Sequence, residues 1–375
     1  MIKLLRLPVL ICLIVSTANA INLFPGIVLD EPYGARSKGM GNTGYALAGD
    51  ESVLFFNPAG LGIANDRWNG GAAGVFRESL VKDISLTSVT VLYQSDYLKN
   101  AGFGANVYHL GLGTIDKTDS LGNRRGSLNS YELAVTLGGG YTFFADKAVT
   151  HSLGMAVKYF RSTNYWKVYD IDNDGNIIIL PGKYNAFETG PAVSFDAGYL
   201  MNLFNHLRLG FVIKNMGPKL RVKTPLSSSD EAQPLIVATG VGYRNTFAYR
   251  DLTLLDLAGE ISISRTHFTD DIDNTVAAGM ELLFLRTMAF RFGYNFVVSE
   301  MKRSSVFMPV DPYSHRLCLG SGLRLFNHFE FDVHRSQRLD EHEKKSVGIS
   351  FAFTRAFKWS KTDLKWWLRN GGESK

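Results

Sequence analysis

From Met288 to Val298 the chain alternates without a break. Met288, Phe290, Phe292, Tyr294, Phe296 and Val298 fall on one parity, and Ala289, Arg291, Gly293, Asn295 and Val297 on the other. A helix would smear these residues around its circumference; an extended strand sends them to opposite faces. The same pattern recurs at 206–215, where Leu207, Leu209, Phe211 and Ile213 oppose Arg208, Gly210, Val212 and Lys214. At 327–335, Phe329, Phe331 and Val333 oppose Glu330, Asp332 and His334. A chain built from such segments has two dissimilar surfaces, one apolar and one polar.

Extending this reading predicts fourteen strands, at 68–78, 84–94, 101–111, 130–143, 151–163, 190–200, 206–215, 236–244, 252–264, 275–285, 288–298, 315–325, 327–335 and 345–355. Long connections fall at 112–129, 164–189, 216–235, 265–274, 299–314 and 336–344, with short turns between them. Apart from the first outer loop, 79–83, which is short, long and short alternate, as in a membrane barrel with loops at one end and tight turns at the other. No stretch supplies about 20 consecutive apolar residues, so no transmembrane helix is expected. Mean hydropathy close to zero suits strands that alternate apolar and polar positions. The expected fold class is all-β: a transmembrane antiparallel β-barrel of about 14 strands.

Residues 1–20 read as an export signal: Lys3 and Arg6, an apolar run from Leu7 to Val15, and the Ala18-Asn19-Ala20 cleavage site. Cleavage would remove Cys12 and leave Cys318 without an internal partner. The net charge of +5 is scattered, which gives no reason to expect nucleic acid. Beyond the last strand, 356–375 is a basic tail with Trp359, Trp366 and Trp367. It is expected on the periplasmic side, as an interfacial helix or as disordered chain.

One stretch lacks alternation. Residues 34–62, GARSKGMGNTGYALAGDESVLFFNPAGLG, are dense in glycine and small residues and close on Asn57-Pro58-Ala59-Gly60-Leu61. Pro58 suits no sheet interior, and the glycines permit tight turns. This reads as a compact element enclosed by the strands, with 21–67 forming a hatch inside a barrel of residues 68–355. The residues Ala35-Arg36, Gly39-Met40-Gly41, Ala46, Asp50 and Asn57–Leu61 resemble the hatch of the long-chain fatty acid transporter family, the FadL-type barrels. They resemble equally the corresponding segment of PorV-like outer-membrane proteins.

The first resemblance implies an outer-membrane channel of a diderm bacterium for hydrophobic small molecules such as long-chain fatty acids, without cofactor or chemical turnover. It also implies a bulge for sideways release, for which Gly102, Gly104 and Gly111 are the candidates. The second implies a plugged barrel serving a secretion machine and binding secreted proteins. The final strand, Ser346–Phe353, carries the polar-x-Gly-x-x-aromatic-x-aromatic pattern that resembles a barrel-assembly signal.

No enzymatic constellation stands out: G-x-S-x-G, H-E-x-x-H, a Walker loop and C-x-x-C are all missing. Asp170, Asp172 and Asp174, with Gly175, match the start of a calcium loop, yet Pro181 stands where its bidentate Glu belongs. The same residues make an ordinary hairpin turn. The best candidates for a ligand site are in the hatch: Val53, Leu54, Phe55, Phe56, Asn57, Pro58, Ala59, Gly60 and Leu61. An apolar cluster facing a polar lumen needs an apolar partner, either a ligand or inward-facing side chains of the wall.

Overall fold

The computed structural model describes residues 26–63, 71–81, 84–94, 100–118, 124–145, 147–171, 177–179, 185–223, 228–249, 252–268, 271–301, 313–325, 329–339 and 345–354. The export signal, its cleavage site and the 356–375 tail lie outside them.

Fourteen strands close into one antiparallel barrel. They are β1 (Ala72–Val81), β2 (Ile84–Gln94), β3 (Ala101–Thr118), β4 (Arg124–Phe143), β5 (Val149–Ile171), β6 (Asn185–Leu203) and β7 (Leu207–Met216). The circuit continues through β8 (Leu235–Tyr249), β9 (Leu252–His267), β10 (Asp271–Phe284), β11 (Met288–Met301), β12 (Tyr313–Leu325), β13 (Phe329–Arg338) and β14 (Lys345–Thr354). Each strand pairs with its neighbours in sequence, and β1 closes the ring on β14 in continuous register from Ala72↔Thr354 to Ser79↔Val347. Three short strands extend the long-loop end, one of them, Leu220–Lys223, against Glu188 and Thr189 of β6. Ile177–Ile179 pairs with the end of β5, and Leu220–Lys223 pairs with Ser228–Glu231.

The usual inside–outside rule is inverted. Phe103, Leu137, Met155, Phe195, Phe211, Ile261, Phe292, Leu319 and Phe351 point outward and are exposed, while Glu132, Lys158, Asp196, Lys214, Glu260, Glu281, Arg291 and Asp332 point inward and are buried. Apolar-out and polar-in is what a barrel in hydrocarbon requires, because lipid covers the outer face. Among the described residues no helix is long and apolar enough to cross a membrane. The turns at the short-loop end are tight. Phe204 and Asn205 (φ 53 and 63) and Leu285 and Arg286 (φ 50 and 55) take the paired left-handed conformation that matches the twist of a hairpin.

All fourteen expected strands are present, and 84–94 coincides with β2. At the short-turn end β8 runs on to Tyr249 and takes up most of the turn expected at 245–251; the larger differences lie at the long-loop end. Stretches 112–129 and 164–189, expected as connections, are partly strand: β3 has 18 residues, β4 has 20, β5 has 23 and β6 has 19. On this arc the wall stands taller than at β1, β7, β13 and β14, which have 10 residues each. Length beyond the bilayer has water on both faces, so its residues need not alternate.

Residues 26–63 carry three short helices, α1 (Ile27–Asp30), α2 (Ala35–Gly39) and α3 (Val53–Phe56), and a 3-10 turn at Pro58–Gly62. Nearly every residue of this segment is buried, and its contacts are with inward-facing residues of the strands.

Candidate functional site

The segment sits on a belt of inward glycines. A Cβ added to Gly102 would lie 2.0 Å from Leu61 O, one on Gly154 2.2 Å from Ala59 N, and one on Gly198 2.1 Å from Asn57 Oδ1. The same holds for Gly210 against Tyr45 O, Gly279 against Met40 O and Gly293 against Gly41 N. Only a wall without side chains at this level admits the segment's backbone so closely.

Barrel carboxylates then hold the segment by its backbone amides. Glu260 of β9 accepts from Gly44 N (2.9 Å), Tyr45 N (2.7 Å) and Leu47 N (2.7 Å). Glu132 of β4 accepts from Gly26 N (2.7 Å) and Val28 N (3.0 Å). A second set of anchors is ionic. Arg36 Nη1 donates to Asp50 within the segment (3.1 Å) and its Nε to Glu281 of β10 (3.0 Å); Arg291 of β11 donates to the same Glu281 (2.6 Å) and to Asp332 of β13 (2.7 Å). Lys38 bridges Glu31 and Glu78 of β1, and His334 of β13 contacts the same Glu78 at 3.2 Å.

These contacts set the titration of the segment's own groups. Burial pushes the Asp50 carboxyl up, but Arg36 and the hydrogen bonds from Ser52 outweigh it and hold it below the usual range. Burial would depress Lys38, yet Glu31 and Glu78 more than reverse this. For Glu51, burial and then the charges of Asp50 and Asp332 outweigh hydrogen bonds from its own amide and Ser350 and push it up to about 7.

The candidate residues 53–61 divide into two groups. Val53, Leu54 and Leu61 pack with Ala48, Ala72, Leu92 and Ala156. Phe55 and Phe56 join a larger cluster with Tyr33, Tyr45, Phe76, Tyr108 and Phe160. Its rings meet edge-on or tilted, with Tyr33–Phe55 at 5.7 Å, Tyr33–Tyr108 at 5.0 Å and Phe55–Phe56 at 5.2 Å. Within the barrel this aromatic cluster lies on the long-loop side of the glycine belt. On the short-turn side the inward residues are mixed: Gln94, Thr142, Ser152, Asn202 and Arg208 are polar, and Leu200, Leu283 and Ala289 are apolar.

Asn57 is a brace: its Nδ2 donates to Tyr45 O (2.9 Å) and Tyr199 O (3.2 Å), and its Oδ1 accepts from Ala59 N (3.1 Å). Pro58 opens the 3-10 turn, where its missing N–H costs nothing. Ala59 is buried against the belt, and Gly60 lies where a Cβ would meet Val53 and Ala48 at 2.8 and 2.9 Å.

Gly102 and Gly104 lie in an unbroken ladder with β2 and β4, and both face the segment. The register shift of β3 falls just after Gly111, between Gly111 and Thr114, with Gly113 at φ 65. Of the calcium-loop residues, Asp170 ends β5, where Tyr169–Ile171 pairs with Ile177–Ile179, and Asp172 and Asp174 lie outside the described residues. The ionic anchors were not singled out as a site from the sequence; an Arg, a Lys and two acids at 36, 38, 50 and 51 in an enclosed segment were the available signal.

No protein-family model matches the chain, and no curated protein matches it in sequence. Solved structures do. A FadL homologue of Pseudomonas aeruginosa superposes with a TM-score of 0.54 at 13% identity, covering 86% of this chain and 97% of that one. The fold is that of a FadL-type barrel. The toluene transporter TodX of Pseudomonas putida aligns with a TM-score of 0.54 at 13% identity, over 87% of this chain and 98% of its own. The toluene transporter TbuX of Ralstonia pickettii gives 0.55 at 14%, over 86% and 98%. The family resemblance read from residues 34–62 and the fold of the whole barrel therefore agree.

Proposed function

We propose that this protein is an outer-membrane channel for hydrophobic small molecules, with long-chain fatty acids as the substrate class, and that residues 21–67 are its hatch. The aromatic cluster around Phe55 and Phe56 carries the reading. A barrel interior rich in buried charges holds one contiguous aromatic cluster. Water-filled pores have no use for such a cluster, whereas a hydrophobic solute needs one. The toluene transporters with the same fold add support for an apolar cargo. In the closed state the hatch fills the glycine belt, so transport requires part of it to shift.

The test is direct binding of a labelled long-chain fatty acid to purified protein, with Phe56→Asp beside the wild type. Wild-type binding lost in a variant that still folds as a heat-modifiable barrel places the ligand at the Phe55–Phe56 cluster. A wild type that binds no fatty acid, while partner capture recovers secreted proteins, replaces this reading with the secretion-accessory one.

A further inference from the structure

The outer face of the barrel is not equally apolar all round. On β11 the outward residues from Met288 to Val298 are apolar or aromatic without a break. That is roughly 33 Å of strand, enough at the usual tilt for the band of about 25 Å that hydrocarbon covers. On β13 the outward run is Phe329, Phe331 and Val333, roughly 13 Å, and Arg335 follows it. On β2 it is Tyr93, Val91 and Val89, followed by Thr87, and on β1 Arg77 comes directly after Val75.

Arg77 and Arg335 both point outward, are exposed, and have no ion-pair or hydrogen-bond partner among the described residues. They flank β14, the strand between them: Arg77 pairs in register with Ile349, and Arg335 with Val347. Two strand spacings across and two residues along put their Cα atoms roughly 12 Å apart. Val347 and Ile349, each about half exposed, form an apolar floor over which the two long side chains converge. Both arginines lie toward the long-loop end of their strands, which is the external end of an outer-membrane barrel.

An arginine on the lipid face is destabilising at mid-bilayer and nearly neutral at the interface. Two of them beside short apolar runs therefore mark the level at which head groups meet this arc, whether the bilayer thins here or the arginine stems snorkel up the wall. We propose that the arc β13–β14–β1–β2 binds a phosphorylated lipid of the outer leaflet. Its phosphate is held between Arg77 and Arg335, and its acyl chains lie on Phe331, Phe351 and Val75. The planar guanidinium fork matches phosphate oxygens, and charge-assisted hydrogen bonds to it are the strong ones. The site concerns the outside of the barrel and goes beyond the channel reading; it rests only on the outer-membrane placement within that reading. Because β1 closes on β14 here, the bound lipid would also brace the seam of the ring.

The test compares bisphosphorylated lipid A with the same lipid stripped of its phosphates, bound to purified protein in detergent and read by native mass spectrometry. The proteins are wild type, the double variant Arg77→Gln with Arg335→Gln, and Arg265→Gln, which removes an exposed outward arginine four strands away on β9. Wild type should bind the phosphorylated lipid at least about tenfold more tightly than the stripped one. The double variant should lose that preference while keeping its binding of the stripped lipid and its heat-modifiable migration, and Arg265→Gln should keep the preference. Equal binding of both lipids to wild type, a preference that survives the double variant, or an equal loss in Arg265→Gln overturns the site and leaves the channel reading standing. Displacement of the lipid by inorganic phosphate at equal concentration would make this a free-anion site and overturn the lipid assignment. Fractionation of the protein into the inner membrane overturns the outer-membrane placement beneath both readings.

Discussion

Residues 34–47 and residues 53–62 lie in one short segment, yet the wall holds them differently. The first stretch also meets belt glycines, with Met40 and Gly41 against Gly279 and Gly293 and Tyr45 against Gly210, but adds charges to them: Arg36 on Glu281, Lys38 on Glu78, and the amides of 44–47 on Glu260. The second rests against β2–β6 through shape, with Leu54 and Leu61 in an apolar cluster and the backbone of 57–62 pressed onto Gly102, Gly140, Gly154 and Gly198. Close packing against glycine has a single arrangement and tolerates no added atom. A lattice of buried ion pairs has alternative partners and weakens when one member changes charge. The half held by shape alone therefore behaves as the fixed seat, and the half that adds ion pairs to its glycine contacts as the one whose hold a change of charge can weaken.

The largest effect tests the seat. In Gly154→Val the new Cβ would lie 2.2 Å from Ala59 N, with backbone on both sides and no flexible side chain to yield. The 57–62 turn must lift from the wall. Single-channel conductance in planar bilayers should rise well above that of wild type, with heat-modifiable migration reporting an intact barrel. A folded Gly154→Val barrel with the wild-type trace would mean that the glycine belt is not the seal.

The ion lattice should respond less, and partly reversibly. Arg36→Met leaves Asp50 and Glu281 buried with one cation fewer, a break that typically costs about 3–5 kcal/mol. The urea midpoint for protease cutting within 34–50 should fall. Arg36→Met combined with Asp50→Asn should recover part of the loss, because the second change removes the orphaned charge. Strictly additive losses would show that the two side chains do not act as a pair.

The two halves were also unequally legible. The apolar run Val53–Phe56 stands out in sequence because such residues are misplaced in a polar lumen, and Asn57-Pro58 marks the turn after it. The partners of Arg36 and of the 44–47 amides do not stand out: Glu281 is 245 residues from Arg36, and Glu260 is 216 from Gly44. Strand alternation shows that these carboxylates face inward. It does not show their height in the barrel, which depends on register around the whole ring. The glycine belt is legible only once that register is known, since each of its members is an ordinary strand glycine on its own. The strands themselves were read well wherever lipid meets one face and the lumen the other. They were read short at 112–118, 124–129, 164–171 and 185–189, where the tall wall has no lipid to impose alternation.

The smallest expected effect concerns the junction between the halves. Glu51 follows Asp50, is buried, and lies where a Cβ on Gly74 would meet its own at 3.0 Å. Burial first, then the charges of Asp50 and Asp332, raise its pKa from 4.5 to about 7. The native state therefore holds this proton after the unfolded chain has lost it. The associated stability is complete below the unfolded value of 4.5 and is lost as pH rises through about 7. Glu51→Gln keeps the neutral shape at every pH. Its thermal midpoint in detergent should match wild type near pH ~4 and exceed it near pH ~8, the gap opening between these values. A gap of constant size across that range would mean that Glu51 acts through packing alone. A gap that opens as described would place a titrating group at the joint between the fixed seat and the half that adds ion pairs.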